Sequence, residues 1–490
     1  MYTLGLDIGS SSIKVALVTS DTNEVVQVIK EPKEEMKILS PNPNWAEQKP
    51  EDWWHYTCEA TQKLLKESKI SSEQITAIGI AYQMHGLVLI DHDKKVLRNA
   101  IIWCDSRAVE IGETAYRTLG KEKCDQTLLN SPANFTASKL KWIKENEPGL
   151  FKKTYKFMLP GDYIGYKLTG KIATTATGLS EGILWDFQKD QPANFLLDHY
   201  QIPIDLLPEL VKNFTVQGRV TKEASKLSGL AEGTPITYRA GDQPNNALSL
   251  QVLEPGEVAA TAGTSGVLYA VTDSTTEITS EKINSFIHVN HTTATPRIGK
   301  LLCVNGCGIA FRWLKEHLGF KTYQEMNELA ASVSIGSDGL IVLPFGNGAE
   351  RIFNNKDIGS HFLYLNYNIH HKAHVCRAVL EGIAFSFVYG MELLKKTGFH
   401  IKVIKAGNDN LFQSPVFSET ITTLIEQPIQ IHDTTGAVGA AKASIIKSKS
   451  KTQNHKENSC SEEYTPLTEL TEFYQKAYQN WKKELKKRLV

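Results

Sequence analysis

A carboxylate stands before a turn of small residues close to the start of the chain, in the segment Asp7-Ile8-Gly9-Ser10-Ser11-Ser12. Apolar residues alternate on both sides of this turn, which predicts a β-hairpin with Asp7 at the end of its first strand. The free N–H groups of such a turn bind phosphate oxygens, and a neighbouring carboxylate can hold hydrated Mg²⁺. The alternative interpretation is an ordinary hairpin turn capped by Asp7.

A second carboxylate, Asp242, lies between a predicted strand over Ile236–Ala240 and a predicted helix, in the segment Gly241-Asp242-Gln243-Pro244. A carboxylate at this position can take the proton of an attacking hydroxyl group, which is the work of a general base in phosphoryl transfer. The alternative interpretation is a helix N-cap, a common use of aspartate.

Two further polar segments follow predicted strands, where α/β folds place their ligands. Gln83-Met84-His85-Gly86 comes after the strand Ile75–Ala81, and Trp103 and Asp105 follow soon after it. An aromatic face with several polar groups suits a polyol, although a histidine satisfied within a loop is the simpler interpretation. The turn Gly407-Asn408-Asp409-Asn410 could hold an adenosine ring or be a plain β-turn.

The hairpin pattern near the start of the chain occurs again about half a chain later, over Glu257–Val271. Its turn is Gly263-Thr264-Ser265-Gly266, and superposing Gly9 on Gly263 places Ser10 on Thr264 and Ser11 on Ser265. The repeat indicates two related halves and favours phosphate binding by both turns. Only the first half carries a carboxylate, because Asp7 superposes on Thr261.

Strand patterns alternate with helical patterns along the rest of the chain, which implies an α/β architecture with partly parallel sheets. Helices are predicted over Trp53–Lys69, Ile309–Leu318, Lys372–Lys396 and Leu467–Leu489, and a further strand over Lys402–Ala406. The polar, lysine-rich segment Lys447–Ser461 lacks apolar periodicity and is predicted to be an exposed loop.

Charge and composition narrow the classes of function. The chain has 490 residues and a formal net charge of zero, which argues against a nucleic-acid or anionic-membrane partner. No run reaches the ~18 apolar residues of a membrane span, and Asp7 interrupts what would be the apolar part of a signal peptide. The seven scattered cysteines fit reduced thiols of a cytoplasmic protein better than a metal site.

Several motifs in a fixed order give the chain a resemblance to the FGGY carbohydrate kinase family over nearly its whole length. These motifs are LGLDIGSSSIK, WAEQKPEDWW, YQMHGLVLID, IIWCDSRA, AGDQ, TAGTSGV, RAVLEGIAFSF and GAVGAAKAS. Within the family, the QMHG segment is most similar to that of the xylulokinases.

The resemblance implies an α/β fold of two ribonuclease-H-like (actin-like ATPase) domains flanking a deep catalytic cleft. We expect a sugar-binding domain over residues 1–241 and a nucleotide-binding domain over residues 242–490. The resemblance also implies a homodimer.

The resemblance assigns roles residue by residue. It makes Asp242 the general base and places Asp7 near Mg²⁺. The implied sugar-binding residues are Met84, His85, Trp103, Asp105, Asp242 and Gln243. The implied ATP-binding residues are Gly9, Ser10, Ser11, Lys14, Gly263, Thr264, Ser265, Gly266, Gly308, Gly407 and Asn410. Where the family has a run of glycines, this chain has Lys405-Ala406-Gly407, and the Cβ of Ala406 is expected to keep the backbone from the nucleotide.

The expected reaction is transfer of the γ-phosphoryl group of ATP to O5 of D-xylulose. Three alternatives stay open: a kinase for another sugar such as ribulose or gluconate, a sugar-binding regulator without activity, and an actin-like ATPase. The regulator is disfavoured because the chain keeps Asp242 and shows no added helix-turn-helix pattern.

Overall fold

The structure is a computed structural model that describes residues 1–274, 283–408, 410–445 and 460–490. The predicted loop Lys447–Ser461 therefore lies mostly outside the described residues. Its last two residues, Cys460 and Ser461, instead begin a strand over Cys460–Tyr464 that pairs with Ile429–His432. For these two residues the loop prediction is wrong, because a neighbouring strand supplies partners that local polarity does not reveal.

The helices and strands are numbered in chain order. The strands are β1 (Tyr2–Ile8), β2 (Ile13–Thr19), β3 (Val25–Glu31), β4 (Glu47–Gln48), β5 (Ile75–Tyr82), β6 (Val88–Ile90), β7 (Ala100–Ile101), β8 (Lys156–Met158), β9 (Ala173–Thr175), β10 (Trp185–Asp186), β11 (Gln191–Pro192), β12 (Glu209–Val211), β13 (Gly218–Arg219), β14 (Pro235–Gly241), β15 (Glu257–Ala262), β16 (Gly266–Thr272), β17 (Asn284–Ile287), β18 (Ile298–Val304), β19 (Ile341–Phe345), β20 (Gly359–Leu363), β21 (Val403–Gly407), β22 (Ile429–His432) and β23 (Cys460–Tyr464). The α-helices are α1 (Pro50–Ser68), α2 (Val109–Leu119), α3 (Lys121–Leu128), α4 (Thr136–Asn146), α5 (Pro148–Phe151), α6 (Pro160–Thr169), α7 (Ala176–Glu181), α8 (Asn194–Tyr200), α9 (Lys222–Ser228), α10 (Asp242–Ser249), α11 (Gly308–His317), α12 (Tyr323–Ala331), α13 (Lys372–Lys396), α14 (Pro415–Ile425), α15 (Gly436–Ala443) and α16 (Thr471–Leu489).

The chain divides into two compact units. The first unit contains Met1–Gln251, Phe286–Arg297 and the described residues from Thr435 onward that include α15. The second contains the described parts of residues 252–285, 298–434 and 460–490. The units separate after Gln251 rather than at the expected boundary after residue 241, because β14 continues directly into α10 and α10 packs against α15 of the same unit.

The first unit is built on a six-stranded sheet of order β13-β14-β5-β1-β2-β3. The predicted hairpin forms its centre: β1 and β2 pair antiparallel, while β5 runs parallel to β1. Alternate residues of a strand face opposite sides of a sheet, and both sides are buried here. Leu4, Leu6 and Ile8 join a cluster with Trp53 of α1.

Helix α15 packs against the first unit's sheet at Gly5 and Gly79, where its backbone comes very close to the strands. A Cβ added to Gly5 would lie 1.8 Å from the carbonyl oxygen of Ala437, and one added to Gly79 would lie 1.9 Å from that of Ala440. The two glycines and the small residues of α15 therefore allow this approach, which brings the start of the helix to the end of β1.

The second unit repeats the arrangement of the first. Its sheet has the order β17-β18-β16-β15-β21-β22-β23, in which β15 and β16 form the predicted hairpin. In both sheets the hairpin has an antiparallel strand on one side (β3 or β18) and two successive parallel strands on the other (β5 and β14, or β21 and β22). The prediction of two related α/β halves is thereby confirmed.

The long helix α13 crosses the core of the second unit. It covers Lys372–Lys396, the range that the apolar pattern predicts, and most of its residues are buried. Among the described residues, none of the helices has both the length and the apolar character that a membrane-spanning segment requires.

Candidate active site

Asp7 lies at the end of β1, beside the turn that joins β1 to β2. Its partner across the hairpin is Lys14. The start of α15 abuts its carboxylate, since a Cβ on Gly436 would lie 2.7 Å from Oδ2 of Asp7. Burial raises the pKa of Asp7, and the charge of Lys14 offsets that effect only in part.

Asp242 is the first residue of α10, which follows β14 without an intervening loop. Burial and the negative charge of Asp7 raise the pKa of Asp242 to about 7, against the stabilising N–H groups of Gln243. The structure thus brings the two predicted carboxylates into electrostatic contact. A carboxylate with a pKa near 7 is well matched to general-base catalysis at neutral pH.

The donor chemistry of these two carboxylates fits a magnesium ion. Mg²⁺ in kinase sites is usually held by one or two carboxylates together with waters and substrate phosphates. Asp7 and Asp242 are desolvated and repel each other, so a divalent cation beside Asp7 would stabilise both charges. Within the described ranges, no group of three or more His, Cys, Asp or Glu side chains could hold a metal ion.

The turn after Asp7 is fixed by bonds from neighbouring segments. The Gly9 N–H donates to the carbonyl of Ser12, and Gln48 donates to the carbonyl of Ser10 at 2.6 Å. The Met36 N–H donates to the carbonyl of Ser11. The side chain of Ser11 is exposed.

Met84 and His85 follow β5 and lie close to the segment that carries Asp242. A Cβ on Gly241 would lie 2.6 Å from Cγ of Met84, so the Met84 side chain packs against the residue before Asp242. His85 has a left-handed backbone with φ 61°, a strained conformation of the kind often found at functional sites. Its ring packs against Phe135 and Phe286, with centroid distances of 4.7 and 5.3 Å.

Trp103 joins the predicted sugar-binding residues to the predicted phosphate turn. Its indole Nε1 donates to Oγ of Ser10 at 3.3 Å, and 51% of the side chain is exposed. An exposed indole beside the Asp7 turn is available to stack on a ligand.

Asp105, in contrast, is fully buried and occupied by protein partners. Its carboxylate accepts hydrogen bonds from the Ala46 N–H at 2.6 Å and from Arg107, whose Nη2 lies 2.7 Å from Oδ2. Trp45 stacks on the same guanidinium at 3.8 Å. A sugar contact at Asp105 would have to replace these bonds, so Asp105 acts in this structure as a support for the loop that carries Trp103.

The motifs point to neither of two buried ionisable residues, Lys139 and Glu181. The first of them supports the predicted sugar-binding loops. Lys139 of α4 donates from Nζ to the carbonyls of His85 and Ile102, both at 2.9 Å. It thereby ties the two loops of predicted sugar-binding residues together. Burial lowers its pKa to about 8, and the charge of Asp105 opposes that shift.

The second unit holds the other predicted phosphate turn, Gly263–Gly266, against the start of α11. The N–H groups of Gly308 and Ile309 donate to the carbonyls of Gly263 and Thr264 at 2.9 and 3.1 Å. A Cβ on Gly308 would lie 2.3 Å from the carbonyl oxygen of Gly263, so only glycine fits there. Gly263 and Thr264 are exposed and Ser265 is half-buried.

The predicted adenosine turn follows β21, and its residue Asp409 lies outside the described residues. The Oδ1 atom of Asn410 accepts the N–H of Phe412 at 3.1 Å, which makes Asn410 the cap of a short 3₁₀-helix over Leu411–Gln413. Ala406 is fully buried in the core of the second unit. Its Cβ therefore packs inside the protein, and the expectation that it keeps the backbone from the nucleotide stays a prediction.

Comparisons with known proteins agree with the geometry. Residues 2–249 match the N-terminal domain of the FGGY family of carbohydrate kinases. A xylulose kinase of Lactococcus lactis subsp. lactis is 31% identical over 402 residues, which cover 81% of this chain and 77% of the relative.

Two solved structures show how far the fold is shared. The xylulose kinase of Rhodospirillum rubrum is 25% identical and superposes with a TM-score of 0.86 over 99% of both chains. The gluconate kinase of Lactobacillus acidophilus is 22% identical and reaches the same TM-score of 0.86 over 100% of this chain and 98% of its own. The fold is therefore shared by kinases for different sugars.

One conclusion follows from the matched family model and the matching solved structures. This chain belongs to the FGGY family of carbohydrate kinases, has the actin-like ATPase fold and is a sugar kinase of a family that uses ATP as the phosphate donor.

Proposed function

We propose that this kinase phosphorylates D-xylulose at O5 and that Asp242 is its general base. The single observation that supports the base most directly is the pKa of Asp242, which burial and Asp7 raise to about 7. The xylulose kinase relatives and the segment Gln83-Met84-His85-Gly86 support the choice of sugar.

The reaction needs little covalent help from the protein, because phosphoryl transfer depends mainly on positioning and charge stabilisation. Asp242 accepts the proton of the O5 hydroxyl as the bond between O5 and the γ-phosphorus forms. The bond from that phosphorus to the β,γ-bridging oxygen breaks, and its electron pair leaves with ADP. Met84, His85 and Trp103 would hold the sugar chain in the orientation that this step requires.

Asp7 would hold Mg²⁺, which supplies positive charge to the phosphate oxygens when bound. Among the predicted ATP-binding residues, Thr264 and Ser265 would contact phosphate oxygens. The carbonyls of Gly263 and Thr264 accept hydrogen bonds from the start of α11, which holds this turn in place. Gly308 supports this turn and does not need to touch the nucleotide. This proposal includes the predicted division of roles, in which the first part of the chain binds the sugar and the second part binds the nucleotide.

We also infer a cytoplasmic location. Each of the seven cysteines, all of them among the described residues, is a thiol rather than half of a disulfide. Thiols persist in the reducing cytoplasm.

A substrate panel tests the proposed function. ADP release would be followed with D-xylulose, D-ribulose, L-ribulose, gluconate, glycerol and no sugar, and the product would be examined by ³¹P NMR for the position of the phosphate. We expect the highest kcat/KM with D-xylulose and a 5-phosphate product. A higher kcat/KM with gluconate or ribulose would keep the family and replace the sugar, whereas ADP release independent of any sugar would favour an actin-like ATPase.

A further inference from the structure

Glu181 is a buried carboxyl group to which neither the motifs nor the proposed mechanism gives a role. It is the last residue of α7 and is 2% exposed. Neither of its carboxyl oxygens has a partner with good hydrogen-bond geometry in the part of the chain that the structure describes, although the hydroxyl of Tyr82 lies close enough to interact with the carboxyl group. Buried polar groups nearly always have a partner, because leaving one without a partner is costly. Glu181 therefore calls for an explanation.

The carboxyl group faces the wall of the candidate sugar site. A Cβ on Gly241 would lie 2.7 Å from Oε2 of Glu181 and 2.6 Å from Cγ of Met84. Glu181 and Met84 therefore meet at the residue that precedes Asp242. Met84 is a proposed sugar contact with an unbranched and adaptable side chain, so a sugar that binds against Met84 and shifts its side chain would also reach the Glu181 oxygens.

The backbone around Glu181 is held in place by the predicted sugar-binding loop. Its carbonyl oxygen lies 2.8 Å from Nδ1 of His85. Ile183, two residues later, has a left-handed backbone with φ 57°, which is strongly disfavoured for a β-branched residue. Strain of this kind persists only where surrounding structure enforces it, and it is concentrated at functional sites.

The groups around the Glu181 side chain leave room for a ligand hydrogen bond. The hydroxyl of Tyr82 faces the carboxyl group and opposes the rise of its pKa, but it lies outside good hydrogen-bond geometry. Asp162 is already paired with Arg239 at 2.8 Å. Lys139 gives hydrogen bonds to the carbonyls of His85 and Ile102. Burial, followed by the charges of Asp242 and Asp162, raises the pKa of Glu181 well above its usual value. The neutral acid can both donate and accept a hydrogen bond, as a sugar hydroxyl requires.

We propose that the Glu181 carboxyl binds the sugar hydroxyl next to the one that is phosphorylated, so that the kinase requires a vicinal diol at the reacting end of its substrate. The position follows from the contact of Glu181 with Gly241, the neighbour of the proposed base. For D-xylulose, phosphorylated at O5, this hydroxyl is the one on C4. The inference rests on the proposed function and names a contact in that same site.

Two variants separate a substrate contact from a structural role. Glu181→Leu removes an unpartnered buried carboxyl of similar size, so we expect the melting temperature to stay the same or to rise. We expect kcat/KM for D-xylulose to fall at least about 10-fold, the usual consequence of losing a hydrogen bond to a substrate hydroxyl. Glu181→Gln, which keeps hydrogen-bonding groups, should lose only about threefold.

An analogue of D-xylulose that lacks the C4 hydroxyl identifies the contact itself. The wild-type enzyme should use this analogue at least about 10-fold less well than D-xylulose, and Glu181→Leu should use both about equally. Unchanged discrimination in Glu181→Leu would overturn the proposal, because an internal water or the protein core would then be the partner of the carboxyl. If Glu181→Leu does not fold, Glu181→Gln decides: an altered ratio of the two substrates supports the contact, and an unaltered ratio overturns it.

The experiments can reject the proposed sugar without rejecting the proposed role of Glu181. If the panel above selects another sugar, the comparison is made with that sugar and its analogue lacking the hydroxyl beside the phosphorylated carbon. A preserved requirement for that hydroxyl, lost in Glu181→Leu, would then support the contact while D-xylulose is discarded.

Discussion

The two hairpins occupy the same place in two similar sheets and differ in the residue at the end of the first strand. In the first unit this residue is Asp7, opposite Lys14, and in the second it is Thr261, opposite Val267. The strands next to the hairpins have the same order and directions in both sheets, and the second sheet has one further strand, β17. The fold is thus repeated, while the carboxylate chemistry is present in one copy only.

A helix start lies beside each hairpin turn, but its contacts differ. The start of α15 abuts the carboxylate of Asp7, whereas the first N–H groups of α11 bond the carbonyls of Gly263 and Thr264. In one copy the helix therefore faces a charged side chain, and in the other it fixes a backbone turn. This difference suggests that the first copy supplies groups for the chemistry and the second supplies a phosphate cradle.

Making the first hairpin like the second should have the largest effect. Asp7→Thr removes the proposed Mg²⁺ ligand, so we expect kcat to fall at least about 100-fold at saturating ATP. The melting temperature should be unchanged or higher, because burial penalises the charge of Asp7. The matched change in the other hairpin, Thr261→Ala, should cost less than about fivefold in kcat. Equal losses in the two variants would remove the distinction between the hairpins.

The pH dependence should report the carboxylate pair of the first unit. The proposed base works when ionised, so kcat/KM should fall about tenfold per pH unit below the pKa that Asp242 has with Mg²⁺ bound, which should lie below its metal-free value of about 7. The carboxyl ¹³C resonance of Asp242, assigned with Asp242→Asn, should titrate at that pH in metal-free protein and at a lower pH once Mg²⁺ is added. An unshifted midpoint with Mg²⁺ would contradict a metal beside Asp7.

The same pKa gives a signed prediction for stability. The folded state keeps the Asp242 proton to a higher pH than the unfolded state, whose carboxyl titrates near its ordinary value, so this group lowers stability as the pH rises from about 4 to about 7. Asp242→Asn removes that loss. Chemical denaturation should therefore show a larger stabilisation by this change at pH 8 than at pH 4, and the opposite order would contradict the raised pKa.

In the second hairpin, two glycine variants distinguish the packing that holds the turn in place from the exposed surface of the turn. Gly308→Ala forces a Cβ to within 2.3 Å of the Gly263 carbonyl oxygen, whereas Gly263→Ala meets no atom within 4 Å. We expect Gly308→Ala to lower the melting temperature and to raise KM for ATP about 5- to 10-fold. Gly263→Ala should leave the melting temperature unchanged. Any rise in its KM for ATP would show that the added methyl group contacts a phosphate. A Gly308→Ala variant with normal KM for ATP would contradict the role of this turn.

The smallest effect concerns the support of the sugar-binding loops. Lys139→Met keeps the apolar stem and removes two hydrogen bonds to buried carbonyls, so we expect a loss of about 1–3 kcal/mol in the free energy of unfolding. KM for the sugar should rise a few-fold while KM for ATP stays the same. Lys141→Met on the same helix, which breaks a partly exposed ion pair with Glu145, should change neither constant. Equal effects of the two variants would show that Lys139 does not position the loops.

The sequence predicts those features of the fold and of the site that are determined by short segments of the chain. The two hairpins follow from alternation around small-residue turns, and α13 follows from an apolar pattern over the same residues, Lys372–Lys396. The carboxylates Asp7 and Asp242 are predictable because each lies at the end of a strand. Their electrostatic contact needs only the parallel arrangement of β1, β5 and β14.

The parts of the site that sequence reasoning missed depend on contacts between distant segments. Lys139 bonds the carbonyl of His85, and Glu181 meets Gly241, although no local pattern links the members of either pair. The partners of Asp105 are equally distant, since Ala46 donates to its carboxylate. For Glu181 the available signal is its place directly before the apolar run Gly182–Trp185, which indicates burial but does not identify a partner. The segment around Lys139 also contains Lys141 and Lys144 and gives no such signal.

Asp242→Asn is the most direct test of the claim that the first unit supplies the base. The sugar-dependent rate of ADP release and the affinity for D-xylulose would be measured together, the latter by calorimetry, in the wild type and in this near-isosteric variant. We predict that turnover falls at least about 100-fold while the Kd for D-xylulose changes by less than about fivefold. A folded variant with near-normal turnover would contradict the role of Asp242 as the base.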